Sequence, residues 1–359
     1  MLTAELEYSL PQELIAQEPA EPRDQSRLML LRRTGGAVEH HRFEELPNLL
    51  RRDDLLIFND TRVLHARLNG RKESGGRVEA LLLREIAANV WQALLKPSAR
   101  LRPGAKIRFA SSDGATAVEA EPLARSDEIW TLRFHASADV RTLLPSLGEI
   151  PLPHYIKKTL ADESRYQTVF ASRTVNGQAA LDSAAAPTAG LHFTPALFEA
   201  LGKRGIRHAF ITLGVGIATF RPVQTATLEE HVMHAEEFVI TDATAHAINE
   251  QRQRGGRVVA VGTTTTRVLE TVADEAGCVP AIFGSTSIFI RPGYRFRCVD
   301  ALLTNFHLPR STLLAMVAAF AESGTYDGLS GLQKIRCAYH QAIEAKYRFF
   351  SFGDAMLIE

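Results

Sequence analysis

Residues 255–270 read GGRVVAVGTTTTRVLE, and this stretch decides the fold class. Gly255 and Gly256 end a polar, helix-like stretch of about residues 241–254, and Val258–Val261 is a short apolar run of the kind that forms a buried strand. Gly262 separates that run from four threonines that open another helical stretch. Helix, buried strand and helix in succession indicate an α/β domain.

The same alternation extends outward through residues 150–359. We predict a helix that Thr194 caps, that Pro195 begins and that Gly205 ends, because these residue types favour those positions. The other predicted elements are strands Ile206–Leu213, Val299–Leu303 and Ala355–Ile358, a helix that Ser311 caps and that ends near Ala321, and a helix over about Leu332–Tyr347.

Residues 63–148 have a different texture, because short alternating runs recur between turn signals such as Arg102-Pro103-Gly104. The predicted strands are Val78–Leu83, Val90–Leu95, Lys106–Phe109, Ala117–Glu121 and Ile129–Phe134. Five or so strands at this spacing predict a small barrel. Its arginines and lysines fit either a solvated exterior or a surface that faces RNA.

Residues 1–62 contain one strong apolar strand, Leu55–Phe58, and too little else to bury. We therefore expect this strand to join the sheet of residues 149–359. The predicted fold is α/β: a discontinuous three-layer α/β domain of residues 1–62 and 149–359, with an inserted small antiparallel β-barrel domain of residues 63–148. Asp60 follows the strand, where it either closes an Asx turn or takes part in chemistry.

Composition limits the class of protein. Of the 359 residues, 45% are hydrophobic and 23% are charged, as in ordinary globular domains. The 41 basic and 41 acidic residues cancel, which argues against a protein that coats nucleic acid but leaves a local basic face possible. Three cysteines are too few for a disulfide framework, and no signal peptide or apolar stretch of about 18 residues occurs. We expect a reducing, cytoplasmic location.

Four loops beside apolar strands could carry chemistry: Pro187–Phe193, Gly214–Phe220, Gly262–Arg267 and Asn305–His307. The glycines can expose backbone amides to an anion, although none of these loops has a nucleotide-binding fingerprint. The threonines after Gly262 either present hydroxyls and helix-start amides to a negative group or cap their own helix. His307 is suited to proton transfer or to stacking, but a structural histidine fits the sequence equally well.

His231, His234 and Glu236 have spacings that a metal site could use. No cysteine partners or HExxH pattern accompany them, so a polar turn or the edge of an active site is the favoured interpretation.

These segments together resemble one family, the S-adenosylmethionine:tRNA ribosyltransferase-isomerases. The resemblance runs from about Tyr8 to Leu357, and its motifs are FNDTRVLHARL, EIPLPHYI, RYQTVFA, AAPTAGLHFT, TFRPV, HVMHAE, GGRVVAVGTTTTRVLE, DALLTNFHLPRSTLL and YRFFSFGDAML. The strings PTAGLHFT and TNFHLPRSTLL are long and unusual, so the match is specific. The fold that the family implies, a discontinuous α/β domain with an inserted barrel, agrees with the one predicted from the residues.

The resemblance implies the reaction. The substrate is a tRNA with a GUN anticodon that carries aminomethyl-deazaguanine at the wobble position, and S-adenosylmethionine is a co-substrate that donates its ribosyl group. The product is epoxyqueuosine-tRNA, and adenine and methionine are released. The chemistry needs a general base for the acidic C5′ hydrogen beside the sulfonium, and amides or a cation for the methionine carboxylate. It needs no metal and no protein partner, and we expect a monomer.

The site residues are hypotheses that follow from the resemblance. The candidate acid or base residues are His192, His307 and Asp60. The candidate S-adenosylmethionine-binding residues are Thr188, Gly190, Leu191, Phe193, Gly216, Thr263, Thr264, Thr265 and Arg267, with Arg267 or the threonine hydroxyls at the carboxylate. The candidate tRNA-binding residues are Lys157, Lys158 and Arg310.

The chain departs from the family pattern at three positions. Gly214 stands where the family usually has histidine, Ala218 where it has glycine, and His154 where it has proline. Two other functions therefore stay open: a catalytically impaired or repurposed tRNA-binding relative, which Gly214 favours, and a different S-adenosylmethionine-dependent RNA enzyme such as a methyltransferase. The usual glycine-rich methyltransferase loop is absent from the sequence.

Overall fold

The computed structural model describes residues 1–99, 101–111, 113–172, 174–175, 178–179, 181–216, 223–322 and 328–359. Its strands within these ranges are β1 Arg27–Leu31, β2 Val38–Arg42, β3 Leu55–Asn59, β4 Arg62–Val63, β5 Arg67–Lys72, β6 Arg77–Ala87, β7 Val90–Lys96, β8 Ile107–Ala110, β9 Ala117–Ser126, β10 Ile129–His135, β11 Gly148–Glu149, β12 Thr174–Val175, β13 Gln178–Ala179, β14 Asp182–Ser183, β15 Arg207–Leu213, β16 Glu236–Ile240, β17 Val258–Val261, β18 Ile282–Thr286, β19 Ala301–Asn305 and β20 Ala355–Ile358. Its α-helices there are α1 Leu46–Leu49, α2 Leu144–Leu147, α3 Pro195–Lys203, α4 Asp242–Gln253, α5 Thr263–Val272, α6 Thr312–Phe320 and α7 Gly331–Glu344.

A large mixed sheet has the strand order β18-β16-β15-β3-β17-β19-β20-β1-β2. Strand β3 lies between β15 and β17 and is parallel to both, which confirms that the apolar strand of the N-terminal region joins the sheet of the C-terminal region. Strands β17 and β19 are also parallel, so the carboxyl ends of β15, β3, β17 and β19 lie at one edge of the sheet. Ligands bind at such an edge in α/β proteins.

The sheet is buried on both faces. Leu55 and Ile57 of β3 belong to one core cluster, which includes residues of α4 to α7, whereas Leu56 and Phe58 belong to another, which includes residues of α3. Alternate side chains of a strand point to opposite faces, so one continuous apolar run can serve both clusters.

The barrel that the sequence predicts is present as a closed, six-stranded antiparallel barrel with the order β5-β6-β7-β10-β9-β8, in which β8 pairs with β5. Its core is a separate cluster that includes Trp91, Phe109 and Trp130. The five strands expected from the alternating runs are all found, and β5 completes the closure.

Two features of the sheet differ from the sequence prediction. Strand β1, with residues 28–31 buried, was not expected in the N-terminal region, and it pairs in parallel with β20. The strand predicted at Val299–Leu303 is observed at Ala301–Asn305. Its beginning is shifted because the amides of Cys298 and Val299 donate to the buried carboxylate of Glu270 and not to a neighbouring strand.

The helix boundaries predicted from the sequence agree closely with those in the structure. Thr194 accepts a hydrogen bond from the amide of Leu197 at the start of α3, and Ser311 accepts one from Leu314 at the start of α6. No helix in the part of the chain that the structure describes has the length and apolar character that a membrane crossing requires.

Candidate active site

One pocket, called the main pocket below, lies at the carboxyl ends of β17 and β19. Its empty volume is about 670 Å³, with the open solvent at its mouth included. Its lining residues are Tyr155, Ala186, Pro187, Thr188, Ala189, Val215, Gly262, Thr263, Thr264, Thr304, Asn305, Phe306, His307, Leu308, Ser311, Leu313, Phe350 and Ser351.

The N-terminus of helix α5 forms one wall of the main pocket. Gly262, with φ of 94°, is the N-cap and has no side chain with which to cap the helix. The amides at the start of a helix have no partners in the preceding turn, so those of α5 are available to a ligand. Thr265 and Thr266 use their hydroxyls on the carbonyls of Val261 and Gly262. Thr263 and Thr264 line the main pocket, and none of the hydrogen bonds found among the described residues uses their hydroxyls.

His307 is another residue of the lining. Its main chain is held by two tyrosines: its amide donates to the Tyr339 hydroxyl at 3.0 Å, and its carbonyl accepts from the Tyr8 hydroxyl. The side chain is buried, and its Nδ1 has no hydrogen-bond partner among the described residues. Burial lowers the pKa of His307 to about 3, so the imidazole is neutral at physiological pH.

His192 lies behind the lining of the main pocket. Its Nδ1 is 2.8 Å from the Ser26 hydroxyl, its Nε2 is 3.2 Å from Nδ2 of Asn305, and its ring stacks on Phe43. Burial and the nearby charges of Arg348 and Arg23 lower its pKa to about 3. Asn305, not His192, faces the main pocket.

The other residues expected around His192 divide into two groups. Thr188 lines the main pocket and donates to Oδ1 of Asn305 at 3.0 Å. Leu191 and Phe193 are buried in two core clusters, and a Cβ at Gly190 would lie 2.7 Å from the ring of Phe170. These three residues hold the loop against its neighbours and do not line the main pocket.

Arg267 is buried below the start of helix α5, where it forms an ion pair with Glu236. The second carboxylate oxygen of Glu236 accepts from the amide of Gly216 at 2.8 Å, so this pair supports the loop that supplies Val215 to the main pocket. Gly214 lies just before that loop and donates its amide to Glu237. Ala218 lies outside the described residues.

Asp60 faces a separate surface depression formed by residues of β15 and α4. Its carboxylate accepts from the Thr212 hydroxyl at 2.5 Å, and burial raises its pKa above the ordinary value. The structure therefore does not bring Asp60 together with His307 in the main pocket.

The three residues expected to contact tRNA are close in sequence to residues that line the main pocket. Lys157 and Lys158 follow Tyr155, and Arg310 lies between Leu308 and Ser311, which line the pocket. Lys158 pairs with Glu18 at 2.5 Å, and Arg310 approaches Glu7 at 3.9 Å.

The described residues contain no group of three or more histidine, cysteine and acidic side chains arranged to hold a metal ion. Glu236, one of the three residues considered for a metal, is engaged with Arg267 and the amide of Gly216. His231 packs edge-on against Phe289 at a centroid distance of 5.5 Å.

Sequence reasoning did not select Asn305, Tyr155 or Phe350 as individual site residues. Phe350 adopts a φ of 71°, which is rare for a bulky residue, and its ring packs against Tyr155 at 4.9 Å. The contact between the two rings has no local sequence signal, because Tyr155 and Phe350 are almost 200 positions apart in the chain. Asn305 had a signal, its place at the end of a buried strand, but the sequence analysis selected His307 instead.

A family model described as "Queuosine biosynthesis protein" matches residues 3–358. A protein of Caldanaerobacter subterraneus subsp. tengcongensis, named S-adenosylmethionine:tRNA ribosyltransferase-isomerase, is 48% identical over 360 residues, which cover 100% of each chain. A protein of Staphylococcus saprophyticus with the same name is 46% identical over 354 residues, which cover 98% of each chain.

Among solved structures, the chain is similar to the crystal structure of an S-adenosylmethionine tRNA ribosyltransferase from Thermotoga maritima. The two sequences are 36% identical, and the match covers 99% of this chain and 100% of the other, with a TM-score of 0.54. Sequence and structure therefore indicate the same family over the same length.

Proposed function

This chain belongs to the queuosine biosynthesis protein family and acts as a ribosyltransferase-isomerase on S-adenosylmethionine and tRNA, and we propose that the main pocket is where the reaction takes place. The observation that carries this proposal is that one pocket contains both a helix N-terminus and a buried histidine. The uncapped start of helix α5 and the His307 imidazole, whose Nδ1 has no hydrogen-bond partner among the described residues, both belong to its lining. One suits an anionic group and the other suits a transferable proton.

The acceptor in this proposal is aminomethyl-deazaguanine at the wobble position of a tRNA with a GUN anticodon. The exocyclic amine of this base receives the five ribose carbons of S-adenosylmethionine, which rearrange to an epoxycyclopentanediol. Adenine and methionine are the leaving products, and epoxyqueuosine-tRNA is the modified product. S-adenosylmethionine is consumed as a co-substrate, and the scheme uses no metal.

The methionine carboxylate binds at the N-terminus of α5. The amides and hydroxyls of Thr263 and Thr264 can donate to it, and the positive end of the helix dipole favours a negative charge there. Arg267 was the alternative partner, but its burial and its ion pair with Glu236 engage it elsewhere. The same ion pair keeps α5 beside β16, which carries Glu236, and so holds the amides in position.

His307 is the general base in this scheme. Its imidazole is neutral at physiological pH, and the Tyr8 and Tyr339 hydroxyls hold its main chain. The imidazole can accept the C5′ proton that the adjacent sulfonium makes acidic. A base with a low pKa gives little driving force, so the acidity of this hydrogen and the geometry of the pocket must supply most of the rate.

The aromatic wall of the main pocket suits flat groups. Tyr155 and Phe350 lie on one side, and the Tyr155 hydroxyl is fixed by a 2.7 Å hydrogen bond to the Ser351 hydroxyl. A nucleobase can stack on such a surface, as bases extruded from RNA loops do. Lys157, Lys158 and Arg310, close in sequence to this wall and to the pocket lining, contact the phosphates of the anticodon arm.

The same proposal covers the organisation of the molecule. Residues 1–62 and 149–359 form a three-layer catalytic domain, which the separate core clusters on the two faces of the sheet support. Residues 63–148 form the inserted barrel domain, which has its own core. The protein works as a cytoplasmic monomer, without an obligate protein partner.

The decisive experiment measures adenine release from S-adenosylmethionine with tRNA that carries aminomethyl-deazaguanine. Release should require this tRNA, and the wobble nucleotide should gain the mass of the transferred group. The matched control is the same tRNA with an unmodified guanine at the wobble position.

A second outcome would support the impaired relative that Gly214 suggests. If folded protein binds the precursor tRNA and never releases adenine, the activity proposed here is wrong, and Gly214→His becomes the variant to test. Methyl transfer to the tRNA, with S-adenosylhomocysteine as product, would instead support the methyltransferase alternative.

A further inference from the structure

Four side chains form a continuous hydrogen-bonded chain that ends at the main pocket. The Ser26 hydroxyl lies 2.8 Å from Nδ1 of His192, and Nε2 of His192 lies 3.2 Å from Nδ2 of Asn305. The Thr188 hydroxyl donates to Oδ1 of Asn305 at 3.0 Å. Thr188 and Asn305 line the main pocket, whereas Ser26 and His192 are buried behind them.

The backbone carbonyl of Phe350 fixes the donor and the acceptor of each hydrogen bond among these four side chains. Nδ2 of Asn305 also lies 3.3 Å from this carbonyl, which can only accept, so the amide nitrogen must be on that side. The amide therefore donates to Nε2 of His192. That leaves the ring proton of the neutral imidazole on Nδ1, from which it is donated to the Ser26 hydroxyl.

Both N–H groups of Asn305 are thus engaged, and its Oδ1 has one partner for two lone pairs. The remaining acceptor site belongs to a residue that is only 3% exposed and that lines the pocket. A buried carbonyl oxygen in this position selects a ligand group that donates a hydrogen bond. An analogue that lacks this donor loses the bond, and affinity with it.

Resting on the proposed function, we propose that Asn305 binds a ribose hydroxyl of S-adenosylmethionine and that His192 is the positioning residue that holds it in the required orientation. His192 acts through Asn305 and transfers no proton, because both of its ring nitrogens are engaged and Asn305 separates it from the pocket.

The position of Asn305 favours the ribose over the other donors of the ligand. Asn305 and His307 are two residues apart, so their Cα atoms are at most about 7 Å from each other. If His307 acts at C5′, the hydroxyls of the same sugar ring lie within reach of Asn305. The methionine ammonium is expected nearer to α5, because it shares a carbon with the carboxylate.

Equilibrium binding of S-adenosylmethionine and of its 2′-deoxy and 3′-deoxy analogues to the full-length protein tests the inference without turnover. We expect the wild type to bind one deoxy analogue about three- to ten-fold more weakly than the parent compound. Asn305→Ala should bind that analogue and S-adenosylmethionine with equal affinity. The ratio compares two ligands on one protein sample, so a lower folded fraction in a variant cancels from it.

Variants of His192 separate positioning from a general structural role. His192→Phe keeps a ring on Phe43 but offers no acceptor, and it should lose the discrimination as Asn305→Ala does. The glutamine of His192→Gln can still accept a hydrogen bond from Asn305, so this variant should retain the discrimination between the two ligands. The pH profile of adenine release by His192→Gln should match that of the wild type, whereas a proton-transfer role would remove a limb of the profile.

The inference is overturned if the wild type does not discriminate against either analogue, or if Asn305→Ala discriminates as strongly as the wild type. Failure of the proposed function has another signature: the wild type then releases no adenine with the precursor tRNA, whatever its preference among the sulfonium ligands.

Discussion

The two buried histidines of the site share a low pKa but differ in their partners. Both ring nitrogens of His192 have hydrogen-bonding neighbours, whereas Nδ1 of His307 has none among the described residues. An unpaired buried polar atom costs roughly 1–3 kcal/mol, so the native state carries a cost at His307 that a ligand can remove. This difference supports the proposal that His307 contacts the reacting group and that His192 holds Asn305 in position.

Replacing His307 with glutamine should lower kcat for adenine release by about 100-fold or more, because general base catalysis contributes about 100- to 10,000-fold. The KM for S-adenosylmethionine should change only a few-fold, since the start of α5 is unaltered. Steady-state adenine release at saturating tRNA measures both parameters.

His340→Ala is the matched control, because the His340 side chain is 74% exposed on α7. Its turnover should stay within two-fold of the wild type. A His307→Gln variant that keeps wild-type turnover would remove His307 from the reaction.

At the scale of elements, the junction between β17 and α5 depends on one glycine. Gly262 has a φ of 94°, and a Cβ there would lie 3.5 Å from the Thr264 hydroxyl and 3.6 Å from Ala189. These are ordinary contacts, so the cost of a side chain at this position comes from the backbone conformation and not from a clash. The helix amides face the pocket only while the chain keeps this conformation.

Gly262→Ala should therefore destabilise the protein by about 1–3 kcal/mol and raise the KM for S-adenosylmethionine more than it lowers kcat. Denaturant unfolding and steady-state kinetics on one preparation give the two quantities.

Gly202→Ala in α3 serves as the control, because no atom lies within 4 Å of its added Cβ and the residue is helical. It should leave the kinetics unchanged and stabilise the protein by up to about 1 kcal/mol. A KM that stays at the wild-type value in Gly262→Ala would contradict the binding of the carboxylate at α5.

At the scale of the whole molecule, His192 and His307 link folding to pH. Each has a folded pKa of about 3, against an ordinary value of 6.5. Between these values the unfolded chain binds a proton at each site and the native state does not. Stability therefore falls as the pH drops below 6.5 and stops responding to these groups near pH 3.

The free energy of unfolding should decrease by about 1.4 kcal/mol per pH unit for each histidine in this window. His192→Gln should reduce the slope of the free energy of unfolding against pH, between pH 6 and pH 4.5, by the contribution of one histidine. Urea unfolding at several pH values measures this slope. His340→Ala, at an exposed position, should leave the slope unchanged. Equal slopes in the wild type and His192→Gln would mean that His192 is protonated in the folded protein.

The sequence by itself determined the α/β class, the barrel and most element boundaries. Buried runs such as Val258–Val261, turn glycines and helix caps such as Thr194 act within a few residues, so their signals are local. The motifs were also specific enough to indicate the family. The position of β1 beside β20 had no such signal, because pairing between strands more than 300 residues apart depends on the whole sheet.

Only the tertiary structure decided which candidates share the pocket. Asp60, His192 and His307 each follow or adjoin an apolar strand, and nothing local distinguishes them. The fold directs His307 into the main pocket, places His192 behind Asn305, and turns Asp60 toward another depression. Local residue patterns fix secondary structure, but the direction of a polar side chain depends on distant partners, such as Ser26 for His192 and Thr212 for Asp60.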